Sequence, residues 1–514
     1  MLGSQVASDL HLDSVHSFLP LQTSWGQATF TEQLYKCVYD SKELKRRQLP
    51  LLSIRTANNV RKTIRGEIAT IKTDVIDDCL TNNDTRISES VGQILWSPTS
   101  MGAFLNTSPL VLNMLCLWKT ILLPGFAILM PLIAIIIPYF VISITQNIDM
   151  TAYITHLRTV LLQQITIPSV LRPRNADDRL GSFLESMFIG MTLVMFISSL
   201  WSQITASLHL RTIWFDIEAR GTGLRTLVGC SERVLAALKS MPIKQQRAVR
   251  HLIDDGQNAM DACKEFAALD AVATFGSVWN NKEGIAKLKA WIGLVDVYCS
   301  ISEQPSVCFP KCTKATSLTL NGVIHPEVKG CVPNNVETVG AIMLTGPNRG
   351  GKSTFCKAVA LSIITAQSWG FAWASSMTFR PFAAISTALE PCGKLGVAST
   401  FEAEIEFAKT VLAVEGAPQF VMMDEIFHST NATDGVAASQ VFLSRLYEKT
   451  DVISIISTHY RELTELFADR TQQLQLLTND GDDGKLTYTY KVADGVSTKS
   501  SVLEILAERG LSAV

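Results

Sequence analysis

The chain has 514 residues, 45 basic and 47 acidic side chains and a formal net charge of -2. An apolar fraction of 47% excludes a disordered chain, and the near-zero net charge excludes a strongly basic nucleic-acid binder by composition, though not a local basic face. Charged residues make up 18%, short of the roughly 25% usual in soluble domains, and the shortfall is confined to particular segments.

Residues 1–108 read as mainly helical, with loop signals at Thr81-Asn82-Asn83-Asp84 and Ser97-Pro98-Thr99-Ser100. The opening MLGSQVASDLHLDS lacks a basic stretch followed by an apolar core, so no cleavable secretory signal is expected. The 11 cysteines show no paired framework and are expected to be free thiols in a reducing compartment. Lys42, Lys45, Arg46, Arg47, Arg55, Arg61, Lys62, Arg65 and Lys72 form a basic cluster diluted by Glu43 and Glu67. Such a cluster suits anionic lipid or nucleic-acid phosphates, but no aromatic residues interleave with it, which favours a solvated helix face.

Residues 109–206 are different. Between Glu89 and Asp149 the only charge is Lys119, and Thr120–Ile144 reads TILLPGFAILMPLIAIIIPYFVISI. A second uncharged window lies between Glu185 and Arg211, centred on MFIGMTLVMFISSLW. About 20 apolar residues cross a bilayer as a helix, so two candidate transmembrane helices are expected, at about 120–144 and 187–206. Pro124, Pro131 and Pro138 are better tolerated in a membrane than in a water-soluble helix, and Tyr139 and Trp201 could anchor at interfaces. The alternatives are a pair of buried core helices or a first segment that re-enters, bent at Pro124-Gly125. A hairpin leaves Arg158, Arg172, Arg174 and Arg179 in the loop between the crossings, in conflict with the preference for basic loops in the cytosol. The expected location is a membrane with the C-terminal part facing the cytosol; the alternative is a soluble cytoplasmic or nuclear protein.

Residues 207–312 again show apolar residues at helical spacing, and after 313 the short apolar runs Ala341–Leu344, Phe420–Met423 and Val452–Ile456 alternate with helical patterns. That alternation predicts an α/β fold with a mostly parallel sheet over 313–514, preceded by a mainly α-helical region. Gly346-Pro347-Asn348-Arg349-Gly350-Gly351-Lys352-Ser353 satisfies the P-loop pattern G-x-x-x-x-G-K-[ST], between a strand and a helix. Glycines let backbone N–H groups wrap phosphate oxygens at the helix N-terminus. Lys352 is expected on the β- and γ-phosphates of ATP and Ser353 on Mg²⁺. QFVMMDE ends in Asp424, placed for Mg²⁺, and Glu425, placed as general base. His459 follows the apolar run VISIIS, where it could sense the γ-phosphate.

These residues carry a resemblance. Thr345–Thr354 (TGPNRGGKST) resembles the phosphate loop of the MutS mismatch-repair ATPases, which belong to the ABC class. Leu294–Ser302, His325-Pro326 and Val332-Pro333-Asn334-Asn335, STFEAE from Ser399, MMDEIFHSTNATDG, SIISTHYRELT and DGVSTKSSVLEILAERG are similar, in order, to further segments of that family over about 290–510. The resemblance implies an ATPase working as a dimer, with itself or a related subunit. Lys352, Ser353, Asp424, Glu425 and His459 would act from one subunit, and Ser399 in trans on the partner's nucleotide. Asn348, Arg349 and Thr354 would line the loop, and ATP would drive dimer closure. By family, DNA mismatch repair or mismatched-DNA binding would follow, with DNA as a partner.

The departures shape the reading. Arg349 stands where the family usually has methionine, and Phe427-His428-Ser429 replaces glycine-arginine-glycine. Phe30-Thr31-Glu32 formally matches the family's Phe-x-Glu mismatch wedge, but its surroundings do not, and no mismatch-reading domain or C-terminal dimerising extension is recognised. The leading expectation is a MutS-like, Mg²⁺-dependent ATPase anchored in a lipid membrane and linked by family to mismatch repair; the alternative is a membrane-anchored MutS-like ATPase with a role other than repair. A soluble DNA-binding repair accessory competes with it. An ABC transporter subunit is disfavoured by only two candidate crossings and by STFEAE in place of an LSGGQ-type signature. Cys308, Cys312, His325 and Cys331 can be drawn as a zinc set, but structural thiols are the simpler reading.

Overall fold

A computed structural model of the chain describes residues 3–80, 91–146, 148–155, 179–390, 400–480 and 486–508. It divides into two compact units that interleave along the chain. One comprises Met1–Thr70, Cys230–Asn258 and Lys287–Val514, and the other Ile71–Gly229 and Ala259–Ala286.

Among the described residues of the first unit, ten strands form two sheets. Strands β1 (Lys311–Cys312), β2 (Leu318–Val323), β3 (Asn334–Thr338) and β5 (Ser376–Phe379) make a mixed four-stranded sheet in the order β1-β5-β2-β3. The larger sheet uses β4 (Ala341–Thr345), β6 (Ala384–Ala388), β7 (Gln419–Met423), β8 (Val452–Ser457), β9 (Thr471–Asp480) and β10 (Leu486–Asp494), in the order β10-β9-β4-β8-β7-β6. It is parallel from β9 to β6, and β10 pairs antiparallel with β9. The runs AIML, QFVMM and VISIIS are buried on both faces, as a parallel sheet covered on both sides requires. Met343, Val421, Met423 and Ile456 share one core with Phe442, Leu443 and Leu446 of the helix Ala432–Leu446. β8 separates β4 from β7, so three neighbouring strands end side by side at one sheet edge.

The N-terminal helices pack in this same unit. Phe30 is fully buried and stacks on Trp369 with ring centroids 5.6 Å apart, and Trp369 Nε1 donates to its carbonyl at 3.1 Å. A ring so enclosed cannot act as a base-inserting wedge. The basic cluster divides. Arg47 and Arg55 donate to the carbonyls of Ser368 and Val307, and Arg65 pairs with the buried Asp296 at 3.0 Å. Lys42, Lys45, Arg46 and Lys62 remain on the surface. Burial raises the Asp296 carboxyl, while bonds from Thr23 and Gln22 and the charge of Arg65 oppose the rise.

The second unit holds the two apolar segments. Helix Pro109–Leu117 passes through a π-turn, Trp118–Leu122, into helix Leu123–Gln146, and the partner helix, Arg179–Lys239, runs for 61 residues. The first helix continues through Pro124-Gly125, so the re-entrant bend allowed by the sequence is not formed. Pro124 lacks the N–H that would bond the Thr120 carbonyl. That carbonyl accepts Ser207 Oγ of the partner helix at 2.6 Å. Among the described residues, two helices pass the length and hydropathy requirements for crossing a membrane, Pro109–Met130 and Leu193–Lys239, and their apolar windows are 6% and 0% buried. Side chains such as Ile121, Phe140, Val194 and Trp201 are exposed, unlike those of a soluble protein's core helix.

Candidate active site

β4 ends at Thr345 and the next helix, Lys352–Ser368, is buried over most of its length. Gly346–Gly351 therefore turn between a fixed strand and a fixed helix. Gly351 has φ 96°, in the left-handed region, and a Cβ there would lie 3.2 Å from the Tyr490 ring. At Gly350 a Cβ would meet the Pro347 carbonyl oxygen at 2.9 Å. Both positions require glycine. The loop and the first turn of the helix, Pro347–Phe355, line a cavity of about 610 Å³ whose other walls include Val328, Cys331, Val332, Glu425 and Tyr490. The orphan N–H groups at the helix start suit a phosphate.

Lys352 is 5% exposed, with Nζ 3.1 Å from the Gly346 carbonyl oxygen and 3.2 Å from His459 Nε2. Burial pulls its amine below the ordinary lysine value, and the nearby carboxylates of Glu425 and Asp424 oppose that. Ser353 Oγ and Ser457 Oγ each donate to Asp424. His459 Nε2 is also 3.1 Å from Glu425 Oε1. That hydrogen bond holds the Glu425 carboxyl below the usual range; burial acts against it, and the charges of His459, Lys352 and His428 assist it. Lys352 can only donate and ionised Glu425 can only accept, so Nε2 serves one of them at a time.

The backbone beyond β7 is strained. Glu425 has φ 55° and Phe427 φ 49°. A left-handed non-glycine residue costs about 1–2 kcal/mol, which the surroundings offset. Glu425 N–H donates to Ser457 Oγ at 2.9 Å, Tyr460 OH donates to the Phe427 carbonyl at 3.2 Å, and the Phe427 ring is buried against Phe401 and Phe442.

The residues singled out in the sequence thus converge. Pro347 to Ser353, Thr354 and Glu425 face the larger cavity, and Gly346 and His459 line a smaller one of about 190 Å³ beside it. Asp424 meets Ser353 between β7 and the helix. Asn348 is tied by its carbonyl to Ser501 Oγ at 3.0 Å, and Arg349, at φ 64°, pairs with Glu508 at 2.5 Å. Ser399 lies outside the described residues. Among the described residues no three or more His, Cys, Asp or Glu side chains assemble as a metal site, so Cys308, Cys312, His325 and Cys331 form no zinc set. The described cysteines are all free. Sequence reasoning missed Ser457 and Tyr490. Tyr490 reaches Gly351 because β10 is irregular between Tyr488 and Val492, an irregularity braced by Asn334, which bonds the Tyr490 carbonyl and the Val492 N–H.

The family model described as MutS domain V matches residues 342–513. The chain is 29% identical over 242 residues to the DNA mismatch repair protein MutS of Shouchella clausii, covering 44% of this chain and 28% of that protein. It is 28% identical over 227 residues to MutS of Bacillus cytotoxicus, covering 42% of this chain and 25% of that protein. The same identity holds over 228 residues to MutS of Bacillus thuringiensis, covering 42% and 26%. The chain therefore spans about a quarter of the length of these curated relatives. The C-terminal part of the chain is thus similar to MutS domain V and to the corresponding part of these MutS proteins.

Proposed function

We propose that the chain is a Mg²⁺-dependent P-loop ATPase of the ABC class, converting ATP and water to ADP and phosphate. The observation that carries this reading is the convergence of Lys352, Asp424, Glu425 and His459 from the ends of β4, β7 and β8 onto the loop of Gly346–Gly351. The Ser353 hydroxyl and the Asp424 carboxylate meet as a pair of hard oxygen donors, which fits Mg²⁺, an ion that fills its shell with waters and phosphate oxygens. When bound, Mg²⁺ supplies positive charge against the β- and γ-phosphates. The loop N–H groups and Lys352 hold and neutralise the phosphates. Drawing Nζ toward a phosphate releases the Nε2 lone pair of His459, and once Nε2 is protonated it donates to Glu425. Glu425, kept ionised, orients the attacking water and takes its proton. Catalysis here is positioning plus charge stabilisation.

Glu425→Gln keeps the shape and removes the base. It should bind ATP as the wild type does and lose about 10²-fold or more in turnover. Wild-type turnover by this variant would remove Glu425 from its role.

By the resemblance, two such sites form across a dimer, with Ser399 supplied in trans and ATP closing the pair. The relatives are named mismatch-repair proteins, and mismatched DNA is one partner this suggests. The second reading is a membrane-anchored ATPase with a role other than repair, and two observations favour it. The apolar helices are exposed, with windows 6% and 0% buried, and Phe30 is enclosed in the core. In that reading the Pro109–Gln146 and Arg179–Lys239 helices hold the chain in a lipid membrane, with the ATPase on the cytosolic side.

A further inference from the structure

His428 immediately follows the strained turn that carries Glu425. Its Nδ1 lies 2.7 Å from the Glu425 carbonyl oxygen. A carbonyl only accepts, so Nδ1 must carry the proton in that bond. The same nitrogen is 3.5 Å from Glu404 Oε1, and Glu404 Oε2 accepts Ser429 Oγ at 2.7 Å. Glu404 is 7% exposed and belongs to the helix Thr400–Leu412, whose Phe401 packs edge-on against Phe427 at 6.0 Å. The Glu425 peptide is thus gripped at both ends, its N–H by Ser457 and its carbonyl by His428. Both grips act on a residue at φ 55°, a conformation that persists only where its surroundings over-determine it.

We infer that His428 is a positioning residue: braced by Glu404 and donating Nδ1–H to the Glu425 carbonyl, it fixes the left-handed backbone that aims the Glu425 carboxylate at His459 and the phosphate loop. The inference rests on the reading of Glu425 as the base, and it goes further by naming what sets that base. It also gives the helix Thr400–Leu412 a direct path to the reacting carboxylate, through Glu404 and Phe401. The ring's other nitrogen, Nε2, has no part in this grip.

The ring geometry makes the test selective. An asparagine places an N–H donor at the position of Nδ1, whereas a glutamine reaches one atom further, toward the position of Nε2. In full-length protein, His428→Ala is expected to lower kcat by about tenfold or more through misplacement of the base, with the KM for ATP unchanged. His428→Asn should restore most of the loss and His428→Gln should not. Amide exchange over 424–430 should be faster in His428→Ala and return to the wild-type rate in His428→Asn, a readout that does not depend on turnover. Unchanged exchange in His428→Ala would overturn the inference, as would equal rescue by asparagine and glutamine. Wild-type protein without ATPase activity would overturn the proposed function, while the exchange rates would still decide the role of His428.

Discussion

Glu425 and His459 make the site pH-sensitive in a direction that can be worked out. The hydrogen bond from His459 is the largest influence on Glu425 and holds its carboxyl below the ordinary glutamate value, while burial pushes the other way. A depressed carboxyl contributes stability above its unfolded value, roughly 4.3, and loses that contribution as pH falls through the lower folded value. The working base is the same ionised carboxylate, so the acid limb of turnover attributable to Glu425 should lie below the usual glutamate range. In His459→Ala the bond is lost and burial remains, so the limb of the residual turnover should move to higher pH. A kcat–pH profile that stays in place, or moves down, would contradict this. At this scale much was legible. The glycines and Lys352 obey local backbone constraints that any sequence must respect. Ser457, Tyr490 and His428 were not legible in their roles, because strand register, an irregular β10 and a left-handed turn bring them in.

Among the elements, the apolar helices were visible as a gap in charge, but their ends were not. Charge spacing marks 120–144 and 187–206, whereas the first helix starts at Pro109 and the second runs to Lys239. Nothing in the polar residues after 206 breaks a helix, so the helix outlasts its apolar window. The join between the helices was equally hidden. It depends on the carbonyl four residues before Pro124 meeting Ser207, a pairing between segments distant in sequence. Strand order was hidden as well: alternating strand and helix patterns predict a parallel sheet, but periodicity does not place β8 between β4 and β7. Helices with windows 6% and 0% buried and long enough to span a bilayer should resist extraction with alkaline carbonate. The protein is expected in the pellet, and its release to the supernatant would refute the anchor.

Over the whole molecule, the chain interleaves, whereas its sequence patterns divide it into consecutive segments 1–108, 109–206, 207–312 and 313–514. Residues 1–70 cluster with 287–514 and close over the far end of the phosphate-loop helix through Phe30, Arg47 and Gln367. Distant pairings of this kind leave no periodic trace, although the buried Asp296, bonded to Thr23 and Arg65, shows how firmly they are fixed. The central claim concerns the site that this packing supports, and phosphate release by purified full-length protein with Mg²⁺ and ATP tests it most directly. Wild-type protein should release phosphate, and Lys352→Ala, lacking the cation on the phosphates, should fall by about 10²–10³-fold. Equal release by the two proteins, or none from the wild type, would contradict the account.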